Sequence, residues 1–154
     1  MNYKTHFLNL LRYDIWANSK VVHFFKKNNI SDGKPVELIS HIMNAEIRWL
    51  ERIKKSTEIP EPFMLRSIEE IPGLIESVNS QWVEFINSME ENDFNNLVDY
   101  RNNKGELWQT SIGDIITHMI NHSTYHRAQI ASLIRQMNIK PPATDYILYT
   151  RMNV

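Results

Sequence analysis

The stretch HMINHSTYHRAQI, His118 to Ile130, sets three imidazoles at four-residue intervals in a chain that has six histidines. Neutral imidazole is the commonest side-chain ligand for a divalent cation. Two of them four residues apart on one helix face can hold one ion together. Three in a row cannot easily share it, because about 12 Å of helix rise separates His118 from His126. A bidentate pair is therefore expected, with the remaining ligands from another helix. Ile115, Met119, Leu133 and Met137 define an apolar seam. With Ile115 at zero and about 100° per residue, His122 falls near −20°, His126 near +20° and His118 near −60°. His122 with His126 is the better-centred pair, and His118 with His122 is its competitor. The other reading is a core histidine satisfied by its own partner. Each buried ring would then need one, since an unpaired buried polar group costs roughly 1–3 kcal/mol. An ion would satisfy both rings at once.

A third ligand has to come from elsewhere. His41 sits about −60° from Leu38, at the margin of a helix's core face, and can point inward. His6, near the N-terminus, and His23, off its helix's seam, read as solvated or capping residues. Asp14 and Asn18, in YDIWAN, fall near the centre of the stripe set by Phe7, Leu11 and Phe25. They either line a polar pocket and orient the histidines, or pair locally, Asp14 with a tyrosine or arginine and Asn18 with backbone.

Other groups near the histidines have readings of their own. A zincin protease is excluded, because that motif needs Glu directly after the first His and Ser123 stands there. Ser123 as a nucleophile has no oxyanion feature or base behind it. Glu46, about +80° from Leu38, reads as a solvated carboxylate, and Arg127, about +120° from Ile115, as an ion-pair partner. Gln129 returns to the seam's edge, within hydrogen-bonding reach of the site. Tyr125, beside His118, suits a pocket or an interface. Trp49 and Trp82 fit core stripes, and Trp16, off its seam, suits a dimer face or pocket wall.

Four amphipathic helices must position these residues. Four glycines and six prolines divide the chain. A first helix is predicted over residues 2–28, with Phe7, Leu11, Val21, Val22 and Phe25 on one face. After NNISDGKP, a second runs over 34–55 with Pro35 in its first turn and Leu38, Ile42, Ala45, Trp49 and Ile53 as its stripe. SIEE, Ser67 to Glu70, has capping-box spacing and precedes a third helix over 68–91, whose first turn Pro72 and Gly73 disturb. LVDYRNNKGELWQT reads as a small hairpin or extended connection, with Asn102, Asn103, Lys104 and Gly105 as its turn. The last long helix covers 111–138 and stops before KPP; the tail holds one short helical turn. The expected architecture is all-α, a four-helix bundle in one domain over residues 1–154.

Composition narrows the function. A formal net charge of −1 gives no basic footprint for nucleic acid. No run of about 18 apolar residues predicts a membrane span, and no basic start followed by an apolar run marks a signal peptide. A soluble cytoplasmic protein is expected. With no cysteine, disulfides, thiolate ligands and a cysteine nucleophile are excluded.

YDIWANSKV, LISHIMNAEIRWLERI, NHSTYHRAQI and DYILYTR, in that order and spacing, resemble the DinB family over residues 3–151. The family pattern of a His, three residues, then His-Arg-Gly-Gln falls on His122, His126, Arg127, Ala128 and Gln129, with Ala128 departing from Gly. The family's upstream histidine, in an H-I-x-x-A-E-x-x-W setting, falls on His41. The resemblance implies a DinB-like four-helix bundle, a likeness to thiol-dependent transferases and isomerases of the wider superfamily, and a homodimer. It also implies a divalent metal site of His41, His122 and His126. Asp14, Asn18, His118 and Gln129 remain candidates for the surroundings of that site.

Three neutral imidazoles would leave the ion's charge uncompensated and a position open, the layout of a catalytic rather than a structural site. All-nitrogen ligation suits Zn, Ni, Fe or Cu without choosing among them. The leading expectation is a metal-dependent enzyme on a small molecule, with hydrolysis and thiol transfer as its two forms. Behind it stand a non-catalytic metal- or ligand-binding stress-response bundle and a plain helical interaction module.

Overall fold

A computed structural model describes residues 2–102 and 104–151. Its four long helices are α1 (Tyr3–Lys27), α2 (Lys34–Ile53), α3 (Ile71–Ser88) and α4 (Ile112–Gln136). A 3-10 turn (Glu91–Asn95) and a hairpin of β1 (Leu97–Arg101) and β2 (Leu107–Ser111) connect α3 to α4, and α5 (Tyr146–Thr150) closes the chain. The predicted hairpin is present as an antiparallel pair, with Val98 opposite Thr110 and Tyr100 opposite Trp108. Gly105 takes its left-handed corner at φ 80°. Asn103, part of the predicted turn, lies outside the described residues.

Local chemistry sets the helix ends. The Asn2 side chain accepts from the Thr5 amide and caps α1. The Ser111 hydroxyl accepts from the Asp114 amide and caps α4. Gly33 turns at φ 77° ahead of α2, with Pro35 in the first turn. The Ser67–Glu70 bonds form as predicted: Glu70 Oε2 accepts from the Ser67 amide at 3.1 Å, and Ser67 Oγ from the Glu70 amide at 3.3 Å. They close a turn, however, and α3 starts after it at Ile71, with Pro72 at its head.

Helix α1 packs on α3 and α4, and so does α2, so α1 and α2 occupy one diagonal of the bundle. Phe25, Ile39, Met43, Trp82, Ile86, Ile116 and Ile130 fill the middle. The C-terminal segment folds back over α1: the Tyr13 hydroxyl donates to the Thr144 carbonyl and Lys20 Nζ to the Ala143 carbonyl. Trp16 lies against Tyr149 there, as a wall of that contact. No described helix is long and apolar enough to cross a membrane.

Two faces are rotated from expectation. On α4 the buried residues include Ile116, Ser123, Arg127, Ile130 and Ile134, which centres the face about 80–90° on from Ile115. His122 and His126 therefore lie at the edge of the apolar stripe rather than its middle, and Met137, expected in the seam, is 45% exposed. On α2 a buried row runs through Ile39, Met43, Glu46 and Leu50, about a quarter turn on from Leu38. Glu46, expected in solvent, is buried.

Candidate metal centre

Helices α2 and α4 pack side by side and bring together His41, His122 and His126, all half-buried. The Nε2 atoms of His41 and His126 each lie 3.1 Å from Nε2 of His122. One ring nitrogen from each residue falls within 4.8 Å of the other two. The rings are mutually inclined, at 60° for His41 and His122, 73° for His122 and His126, and 88° for His41 and His126. Edges therefore converge, not faces.

Proton positions decide what such a cluster can be. Nδ1 of His41 donates to the Pro62 carbonyl at 2.8 Å, and Nδ1 of His126 donates to Gln129 Oε1 at 2.8 Å. Each neutral ring then turns a bare Nε2 lone pair toward His122. His122 has one proton to offer two neighbours, and its buried Nδ1 has no partner among the described residues. Hydrogen bonding alone leaves at least one Nε2 pair lone pair against lone pair. A cation among the three nitrogens removes the conflict. Neighbouring imidazole nitrogens on a tetrahedral ion lie about 3.3 Å apart, close to the separations seen. Burial, reinforced by the imidazoles of His126, His41 and His118, lowers His122 from 6.5 to about 3. Burial also lowers His41, against the opposing bond from Pro62. Both rings are thus in the form a cation needs.

The segment between α2 and α3 braces this arrangement. Phe63 stacks on His41 at 4.5 Å and 7°. Asn44 donates to the Met64 carbonyl, and Arg66 donates to Asn44 Oδ1. Pro62 and Phe63 had no signal in the sequence: one acts through its main-chain oxygen, the other through an exposed ring on a loop.

The DinB family model matches residues 1–153. The chain belongs to the DinB family. Protein DinB of Bacillus subtilis (strain 168) is 24% identical, over 93% of this chain and 92% of that protein. A DinB-like protein from Bacillus cereus ATCC 10987 superposes with a TM-score of 0.70 at 20% identity, covering 89% of this chain and 94% of that one.

In this DinB-family chain the other candidate residues have separate places. Gln129 orients His126, as above. His118 stays outside the triad: its ring lies 5.7 Å from that of His122 and meets Trp49 edge-on at 5.6 Å. Trp49 is half-buried beside it rather than in the core. His6 and His23 are exposed. Ala128, at the position of the family glycine, is exposed as well.

Asp14 and Asn18 serve Arg127, not the histidines. Arg127 Nη1 donates to Asp14 Oδ1 and, at 2.7 Å, to Asn18 Oδ1. Asn18 Nδ2 donates to Asp14 Oδ2 at 3.0 Å and to Glu46 Oε1 at 3.1 Å. Arg127 is an ion-pair partner as expected, but a buried one, 3% exposed. Behind the metal candidate, α1, α2 and α4 are therefore locked by a polar knot in the bundle's middle. Ser123 Oγ and Arg127 Nε, both buried, find no partner among the described residues.

Burial raises Glu46 well above the usual carboxylate range; the charge of Asp14 and a hydrogen bond to it add to the shift. The folded state then holds a proton that the unfolded chain releases near its ordinary value. Stability should fall as pH rises from about 4.5 toward the raised value. Glu46→Gln is expected to flatten that slope and to match or exceed the parent's stability at pH 8. Urea unfolding at pH 5 and pH 8 checks this; an unchanged slope would show that Glu46 titrates normally.

Proposed function

We propose that His41, His122 and His126 hold a divalent metal ion and that the protein uses it as an enzyme on a small molecule, as a hydrolase or a thiol S-transferase. The observation that carries the reading is the tautomer geometry: Pro62 and Gln129 take the Nδ1 protons of two rings and aim their Nε2 lone pairs at the third. Nitrogen donors of this kind suit Zn, Ni or Fe. A bound ion of this type lowers the pKa of a coordinated water or thiol, or polarises a carbonyl. The chain's own share is positional. Pro62 and Gln129 fix ring orientation, Phe63 covers the face of His41, and placement at the edge of the core leaves one side open. Among the described residues no carboxylate joins the three histidines, so the ion's charge would stay uncompensated and available to substrate. A homodimer in the cytoplasm completes the proposal.

A second reading, a non-catalytic metal- or ligand-binding bundle, is favoured by Glu46. Glu46, about one turn and a half beyond His41 on α2, is turned into the Asn18–Asp14–Arg127 knot and is not placed to move protons at the histidines.

Elemental analysis of the purified native protein tests the metal. About one equivalent per chain is expected, lost in a His122→Ala/His126→Ala variant. Less than about half an equivalent after supplementation, unchanged in that variant, rejects the centre. A panel of thiols with electrophiles, and of esters and amides, then separates the readings. Turnover abolished by His41→Ala supports the enzyme; a loaded, stable protein without turnover supports the second reading.

A further inference from the structure

A 380 Å³ cavity lies between the C-terminal part of α2, residues 55–59 and the hairpin strand β1. Four cations line it: Arg48, Arg52, Lys55 and Arg101. None of the four takes part in a salt bridge among the described residues. Arg48 donates to the Pro60 carbonyl and Arg101 to the Gly105 carbonyl. The Arg52 guanidinium lies over the Trp49 ring at 4.6 Å and the Tyr100 ring at 5.3 Å. Asp99 also lines the cavity, and its Oδ1 accepts from Gln109 across the hairpin. A cation at the C-terminal end of a helix is ordinary. That accounts for Arg52 or Lys55, but not for a hairpin arginine lining the same space. Four cations around one carboxylate leave an excess of positive charge, which costs stability; burial and then the charge of Arg48 lower the pKa of Arg52.

A run of aromatic contacts leads from the cavity wall at Tyr100 to the histidines. Trp49 meets Tyr100 edge-on at 4.9 Å on one side and His118 on the other, and His118 adjoins His122. Arg48 follows His41 by seven residues on α2, the same face about 10 Å further along.

We infer that Arg48, Arg52, Lys55 and Arg101 form an oxyanion-binding subsite that anchors the substrate of the histidine centre. The ligand class is a small molecule with a phosphoryl or polycarboxylate end and a reactive group about 10 Å away, the two-turn separation of Arg48 from His41. Guanidinium groups suit such an end because their paired N–H donors match planar and tetrahedral oxyanions. The subsite rests on the reading of the histidines as the reactive centre, but its anion binding does not.

The test therefore uses the full-length, chelator-treated protein, titrated calorimetrically with inorganic pyrophosphate and with citrate at physiological salt. One saturable site is expected, weakened about tenfold or more in Arg48→Gln/Arg52→Gln. Because Arg52 is half-buried, Lys55→Gln/Arg101→Gln provides an exposed second variant, with circular dichroism as the check on folding; it too should weaken binding several-fold. Arg135→Gln and Lys140→Gln, in the separate groove between α4 and the tail, should leave it unchanged. Stronger binding of pyrophosphate assigns a phosphoryl end, and stronger binding of citrate a carboxylate end. No saturable binding, undiminished binding by both double variants, or loss through Arg135→Gln overturns the subsite. Metal uptake by the same proteins on resupply keeps the two ideas apart. Anion binding without metal uptake defeats only the centre, and metal uptake without anion binding defeats only the subsite.

Discussion

Replacing Arg127 with alanine is expected to cost about 3–5 kcal/mol of folding stability, because it strands the Asp14 carboxylate in the middle of the bundle. Asp14 is 2% exposed, and its carboxylate faces Arg127, Asn18 and Glu46. Without the guanidinium its charge would face only the amide of Asn18 and the carboxyl of Glu46. Urea unfolding at fixed pH measures the loss. Asp14→Leu/Arg127→Met, which removes both charges, should cost much less than the sum of the two single changes, since the stranded partner is the main penalty. A loss under about 1 kcal/mol for Arg127→Ala would mean that the pair does not form in solution. Metal content of the double variant is a useful companion measurement, because Arg127 adjoins His126 in sequence.

That knot also shows what was legible beforehand and what was not. The four long helices, the hairpin and the short tail helix can be read from periodicity and from turn residues, because those signals are local. The helix faces are harder. A seam drawn through Ile115, Met119, Leu133 and Met137 assumes that a bundle's middle is apolar. Here Asp14, Asn18, Glu46, Ser123 and Arg127 occupy part of it, so apolar bookkeeping turned α4 by about a sixth of a turn and sent Glu46 into solvent. The error was in assigning each polar residue alone; four of them, Asp14, Asn18, Glu46 and Arg127, come from three helices and bond to one another only once folded. His41 could be placed at a margin and no better, since whether it meets His122 depends on the packing of α2 against α4. The acceptor that fixes its tautomer is a main-chain oxygen at Pro62, invisible to any reading of side chains.

Chelation should lower the melting temperature of the metal-loaded protein by about 8–16 °C. An ion present at 1,000 times its dissociation constant stabilises the native state by about 4 kcal/mol, and for a chain of this size each kcal/mol moves the transition by about 2–4 °C. His122→Ala should abolish the metal-dependent part of the shift, because His122 is the ring that both others adjoin. Gln129→Ala should keep part of it: loss of an orienting acceptor commonly weakens metal binding by about 10–100-fold rather than eliminating it. Differential scanning calorimetry with and without chelator, on the three proteins, makes the comparison. Identical melting curves for parent and His122→Ala at saturating metal would show that any ion binds elsewhere.

The rim position of the histidines has a consequence for metal traffic. In small domains built around zinc, the ion is the keystone and leaves only when the fold collapses. Here the aliphatic interior and the Asp14–Arg127 knot stand apart from the three rings, and two of those rings are already held by oxygen acceptors. Under the proposed metal centre the scaffold would thus lose one cation and accept another without melting, and the supply of ions in the cell, rather than the folding reaction, would decide which element is carried.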